Sequence, residues 1–256
     1  MHFIDLEAAR SHEGPVMFVA TVLPSPWSEA AKGVFYVKKI DVALVRYRSA
    51  DAEMVKASGA DNVPVLHCKG EPRRTGWAEI LTFAERSGGV ALLPEAATDR
   101  SRLFGVGHEI AGEDGLAHSS RLLMIHGGFA TDGAEGFPVP VAKFLAPKYG
   151  YSASRVSYAK QRIFDVLGLL HRMLEKSHAE GCAYLLGDRL SALDIYSATF
   201  LTPIAGVTVE ECPGMMPQLR PAFAYLNKEI GSSLTDLLKA HRRMIFERHL
   251  TLPIEL

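Results

Sequence analysis

The chain has 256 residues, 48% of them hydrophobic and 22% charged, with 28 Lys+Arg against 29 Asp+Glu and a formal charge of −1. That is the balance of an ordinary globular protein, long enough for one large domain or two smaller ones without disulfides or a structural metal. A near-zero charge argues against a nucleic-acid binder, which carries a basic excess. The one dense basic run, KAHRR (Lys239 to Arg243), reads as a solvated helix face.

Three cysteines, Cys68, Cys182 and Cys212, are odd in number and far apart, and no CxxC pair occurs. Neither a zinc site nor a dithiol motif is on offer, and the plain reading is reduced thiols in a cytoplasmic protein, with Cys68 buried and inert. The opening MHFIDLEAARSHEG carries charges of both signs and no apolar stretch of the kind a secretory signal needs. No uncharged apolar run reaches membrane-spanning length.

In chain order, the first strand signal is PVMFVATV (Pro15 to Val22), apolar, β-branched and too short for a stable helix. PSPWSEAAKGVFYVKK follows with Ala30, Ala31, Val34 and Val37 at helical spacing. IDVALVRY (Ile40 to Tyr47) reads as a second strand and ADAEMVKAS as a short helix stopped by Gly59. NVPVLHC (Asn62 to Cys68) is a third strand with Pro64 near its start, and after the KGEP turn a brief fourth strand is expected at Arg73 and Arg74. WAEILTFAERSGG puts Trp77, Ile80, Leu81 and Ala84 on one helical face, ended by Gly88 and Gly89. The order β-α-β-α-β-β-α defines a mixed α/β unit of about 90 residues.

LLPEAATD (Leu92 to Asp99) reads as a linker, and beyond it helices dominate. Arg100 to His126 holds one long helix or two, interrupted around Gly112 and Gly115. Residues 127–151, rich in Gly and Pro, read as a long loop with a short helix in it. Ser154 to Lys176 carries an apolar stripe from Val156 to Leu174. In LLGDRLSALDIYSATFL, Ser191 and Asp194 form a capping box that starts a buried helix, and two more helices close the chain. The resulting expectation is a unit over 1–91 and an all-helical one over 99–256.

Some motifs fail on inspection. HEIAG (His108 to Gly112) has Gly where a zinc-protease helix needs its second His. GVGHEI (Gly105 to Ile110) lacks the third glycine of a dinucleotide fingerprint, and no strand precedes it. No metal site is expected.

SPWS at the first helix, NVPVL entering the third strand and LLGDRLSALDI opening a buried helix occur together and in order. With them the chain resembles the cytosolic glutathione transferases from about Pro15 to about Ile230. The resemblance implies a thioredoxin-like N-terminal domain, an all-helical C-terminal domain and a homodimer, with glutathione as co-substrate. It places Ser25 where family members hold the glutathione sulfur. The physics agrees, because unpaired amides at a helix N-terminus favour an anion and lower a thiol pKa. A serine followed by proline is also a common helix cap, so Ser25 carries both readings.

Ser25 and Ser28 stand at the two cysteine positions of a C-P-x-C motif, which excludes disulfide exchange and leaves thiolate stabilisation open. Pro64 resembles the family's cis-proline, which would let the Val63 backbone pair with the cysteinyl part of glutathione. Trp27 is expected as an apolar or stacking contact beside the sulfur. Where family members have Glu-Ser or Asp-Ser for the γ-glutamyl end, this chain has Thr75-Gly76, or Gly76-Trp77 in the neighbouring register. Arg74 or Arg73 could hold a carboxylate instead. Phe104, His108 and Phe129 are placed near the second-substrate cleft. The resemblance implies conjugation of glutathione to an apolar electrophile. The missing acidic-serine pair keeps an alternative open, a non-catalytic ligand-binding protein of the same fold.

Overall fold

The computed structural model describes residues 1–256. Its first part runs β1 (His2–Ile4), α1 (Leu6–Ser11), β2 (Val16–Val19), α2 (Pro26–Val37), β3 (Ala43–Arg46), α3 (Ala52–Ser58), β4 (Val65–His67) and α4 (Trp77–Arg86). The strands lie in the order β1-β3-β2-β4, with β4 antiparallel to β2 and the other pairs parallel. Alternation sends Val16 and Phe18 to one face and Met17 and Val19 to the other. The first face packs with Val45, Met54 and Val65 into a small core, and the second joins α2 and α4 in the main core. With both faces covered, the strands have no polar side to show, hence their continuous apolar runs.

The start of the chain departs from the sequence reading, which identified neither β1 nor α1. Phe3 of β1 lies under the Arg46 guanidinium at 3.6 Å. Asp5 caps α1 by accepting the Ala8 amide at 2.8 Å. The fourth strand expected at Arg73 and Arg74 is reduced to a single bridge, Leu66 to Arg74.

The second part is helical: α5 (Ala97–Ala111), α6 (Leu116–Ala130), α7 (Val139–Lys148), α8 (Val156–Ala179), α9 (Ala192–Ala205), α10 (Arg220–Ile230) and α11 (Asp236–His249), with single turns of tighter helix between some of them. The break between α5 and α6 falls at Gly112–Gly115. The segment 127–151 is more ordered than its composition suggests. Its glycines serve close packing, since a Cβ on Gly128 would sit 2.2 Å from the Phe137 carbonyl oxygen, and one on Gly136 would sit 2.4 Å from the Gly128 nitrogen. The returning chain therefore lies directly on the end of α6, with the Phe137 amide bonded to the Met124 carbonyl at 3.0 Å.

α9 is buried along nearly its whole length and packs against α2, α5 and α11. Asp194 reaches back to the Ser191 amide at 2.9 Å as the capping pattern predicts, and the Ser191 hydroxyl donates to the same carboxylate at 2.7 Å. The basic run at Lys239 to Arg243 is not simply a solvated face. Arg242 is buried, donating to Thr202 at 3.1 Å and to Glu211 at 3.4 Å, and His241 sits 3.2 Å from Asp194. Cys68 is half-buried rather than buried. No helix is long and apolar enough to cross a membrane.

Candidate functional site

α2 begins at the C-terminal end of the β2 segment. Ser25 is its N-cap residue and Pro26 its first helical residue, where a missing N–H costs nothing. The Ser25 hydroxyl accepts no bond from the helix, and the Trp27 and Ser28 amides have no acceptor in the chain. A buried hydroxyl and two free amides therefore stand at the positive end of the helix dipole, an arrangement suited to an anion.

Ser25 opens onto a cleft of about 560 Å³ between the sheet-bearing part and the helices. Its sheet-side wall comes from the ends of strands and starts of helices: Ala20 to Leu23, Ser25 and Trp27; Tyr47 to Ala50; Asp61 to Pro64; and Thr75 to Trp77. The opposite wall is Arg121 of α6 with Phe144, Leu145, Lys148 and Tyr149 of the α7 segment.

The Val63–Pro64 peptide is cis, and Val63 lines the cleft just before β4 with its amide and carbonyl free of backbone partners. An extended ligand could add there as a short strand. Trp27 and Trp77 are fixed by the helices behind them. Trp27 donates to the Ala111 carbonyl at 2.8 Å and meets Phe200 edge-on at 5.2 Å. Trp77 packs against Tyr196 at 5.4 Å and fits over α5 because position 107 is glycine, where a Cβ would come within 2.6 Å of the indole.

The α4 end is built differently from the α2 end. Glu79 folds back so that its carboxylate accepts the Gly76 amide at 3.1 Å and the Thr75 amide at 3.4 Å. Two amides that could meet a ligand carboxylate are already taken by the protein.

Other anticipated residues lie elsewhere. Ser28 is fully buried and its hydroxyl accepts the Ala20 amide at 3.1 Å, so it braces the loop after β2 and does not line the cleft. Arg74 is bound to Glu71 at 2.5 Å over the Phe83 ring and is likewise outside the lining. Phe104 packs against Trp77 from behind at 6.0 Å, His108 is exposed on α5 and Phe129 packs on Tyr151 at 5.3 Å. None of the three lines the cleft.

The wall they were expected to form is made by Arg121, Phe144, Leu145, Lys148 and Tyr149, which the sequence reading did not single out. One signal was present, since α6 is apolar around most of its circumference and Arg121 is a lone charge within it. Burial lowers the Arg121 pKa, with the Tyr149 hydroxyl partly offsetting it. Lys148 is lowered by burial too, against the pull of Asp61, whose carbonyl it holds at 2.8 Å. A smaller cavity of about 210 Å³ flanks the side of α2, where Glu29 and Lys32 already pair at 2.8 Å. It contains no helix N-terminus.

A thioredoxin-like sheet followed by an all-helical part, with the cleft between them, is the fold of the glutathione transferases. A glutathione S-transferase domain-containing protein from Marinobacter aquaeolei VT8 superposes with a TM-score of 0.64 at 15% identity, over 92% of this chain and 100% of its own. Glutathione transferase Omega 3C from Trametes versicolor gives 0.61 at 13% identity, over 96% and 91%. A glutathione S-transferase from Methylobacterium radiotolerans JCM 2831, in complex with glutathione sulfonate, gives 0.58 at 16% identity, over 91% of each chain. No family model and no curated protein matches the sequence.

Proposed function

We propose that the protein is a glutathione-dependent transferase acting on a small electrophile. The observation that carries this reading is the uncommitted Ser25 hydroxyl beside the free Trp27 and Ser28 amides, at the floor of a cleft with an open backbone edge at Val63. Glutathione would lie along that edge with its sulfur at the start of α2. There the thiol proton is lost to water, because the donors and the dipole stabilise the anion more than the neutral thiol. The thiolate then attacks the electrophile, forming a carbon–sulfur bond while the leaving group departs with its electron pair. Solved neighbours that hold glutathione or its sulfonate support a tripeptide site in this fold.

Calorimetric titration with glutathione, followed by turnover of an aryl halide, tests the proposal. Ser25→Ala removes one hydrogen bond to a charged sulfur, worth about 1.5–3 kcal/mol, so turnover at neutral pH should fall about ten- to hundredfold. Unchanged turnover in the variant would reject the role of Ser25.

The Glu79 carboxylate on the Thr75 and Gly76 amides favours a second reading, a ligand-binding protein with weak glutathione affinity. Absence of measurable glutathione binding at millimolar concentration would select it.

A further inference from the structure

Four lysine and arginine side chains are buried in this protein: Lys32, Lys38, Arg121 and Arg242. Three have a carboxylate, Glu29 at 2.8 Å, Glu85 at 3.0 Å and Glu211 at 3.4 Å respectively. Arg121, only 6% exposed, has none. Its guanidinium lies 5.5 Å from the centre of the Phe137 ring with the Tyr149 hydroxyl as its polar neighbour, and no Asp or Glu acts on it. A buried cation without a counter-charge is costly, and native proteins rarely leave its five donors unused. Arg121 lines the cleft, on the wall facing Ser25 and Val63, so its open side is where a ligand would enter.

The rest of the cleft lining supplies little negative charge to offset it. Lys148 donates to a backbone carbonyl and joins no ion pair with a side chain, and Arg48 is paired with Asp51 at 2.8 Å. Asp61 is the one acidic residue of the lining. Phe144, Leu145 and Tyr149 add apolar surface to the same wall.

We infer that Arg121 receives a carboxylate carried by the electrophilic substrate, so that the protein acts on small organic acids with an apolar body rather than on neutral apolar electrophiles. The planar guanidinium fork fits a carboxylate in two parallel hydrogen bonds, while the apolar surface takes the body of the acid. The assignment rests on the transferase reading for what happens to the acid, but not for its binding. Glutathione has carboxylates of its own and is the competing source of the anion.

The test uses chlorodinitrobenzoate and its methyl ester, which react by the same displacement: the glutathione sulfur bonds to the ring carbon, chloride leaves with the electron pair and the thiol proton passes to solvent. The wild type should favour the acid over the ester in kcat/KM. In Arg121→Gln that preference should fall at least about tenfold and in Arg121→Lys by less, since lysine keeps the charge without the fork. Removing an unpaired buried charge should leave thermal stability equal or higher, whereas loss of a merely structural arginine would lower it.

Calorimetry with chlorodinitrobenzoate alone keeps the two proposals separable. Binding to the wild type that is lost in Arg121→Gln upholds the acid site even if glutathione neither binds nor reacts. Equal use of acid and ester by the wild type overturns it. So does an Arg121→Gln variant that keeps the preference, or one whose main loss is in glutathione affinity, which would give the guanidinium to the tripeptide.

Discussion

Ser25 and Ser28 lie one helical turn apart and have opposite roles. The Ser25 hydroxyl faces the cleft uncommitted, while that of Ser28 is consumed by the Ala20 amide. His118, one turn before Arg121 on α6, has a different sensitivity. Its ring packs on Tyr149 at 5.6 Å with a buried Nδ1 that lacks a partner, and burial lowers its pKa although Glu113 and Asp114 pull upward. A base depressed in the folded state binds its proton more readily in the unfolded chain. The stability it contributes is therefore complete above its ordinary value near pH 6.5 and is lost as pH falls through the folded value. Denaturant unfolding at a series of pH values should show this loss, with a shallower slope in His118→Asn. His249 is shifted the same way by burial, so the slope should decrease without vanishing. The cleft residues legible in the sequence, Ser25, Trp27, Val63, Pro64 and Thr75 to Trp77, lie at a helix start or a strand end, which local chemistry marks. Arg121 and Lys148 reach the cleft through the packing of α7 on α6, across from the sheet half, a long-range arrangement that the sequence does not mark, and the family resemblance led instead to Phe104, His108 and Phe129.

Among the elements, α9 shows how one side chain can organise a helix start. Asp194 is fully buried, accepting the Leu185 amide at 2.8 Å, the Ser191 amide at 2.9 Å and the Ser191 hydroxyl at 2.7 Å, with His241 close by. Asp194→Ala would leave those donors buried and unpaired, and should cost about 3–5 kcal/mol in denaturant unfolding. Asp194→Asn, which keeps one acceptor oxygen, should cost less. This start was readable because Ser191 and Asp194 are three residues apart. The same kind of local signal existed for α1, where Asp5 precedes a run of good helix formers, but β1 spans just three residues and depends on β3 for its register. In residues 127–151 the glycines were read as loop formers, whereas at positions 128 and 136 they admit the neighbouring backbone, a long-range demand that composition does not record.

For the whole molecule, the joint between sheet and helices combines the apolar packing of α2 on α9 with a few polar contacts. Glu85 of α4 accepts Lys38 Nζ at 3.0 Å and the Leu92 amide at 3.2 Å, and Lys38 also donates to the Val90 carbonyl at 2.6 Å. The Leu92 carbonyl in turn accepts the Ala192 amide at 2.9 Å, which fastens the connecting segment to α9. Glu85→Ala would strand the buried Lys38 ammonium and release this segment. A loss of about 3 kcal/mol in unfolding free energy is expected, with faster cleavage by protease within residues 88–96. The indole bond from Trp27 to Ala111 spans the same joint next to Ser25, so the placement of the Ser25 end of the cleft depends on how the halves sit together. The sequence has just two tryptophans, and both border the cleft. The natural ultraviolet emission of the protein is thus a built-in optical gauge of that single place, and an occupant would change its colour or brightness without any dye.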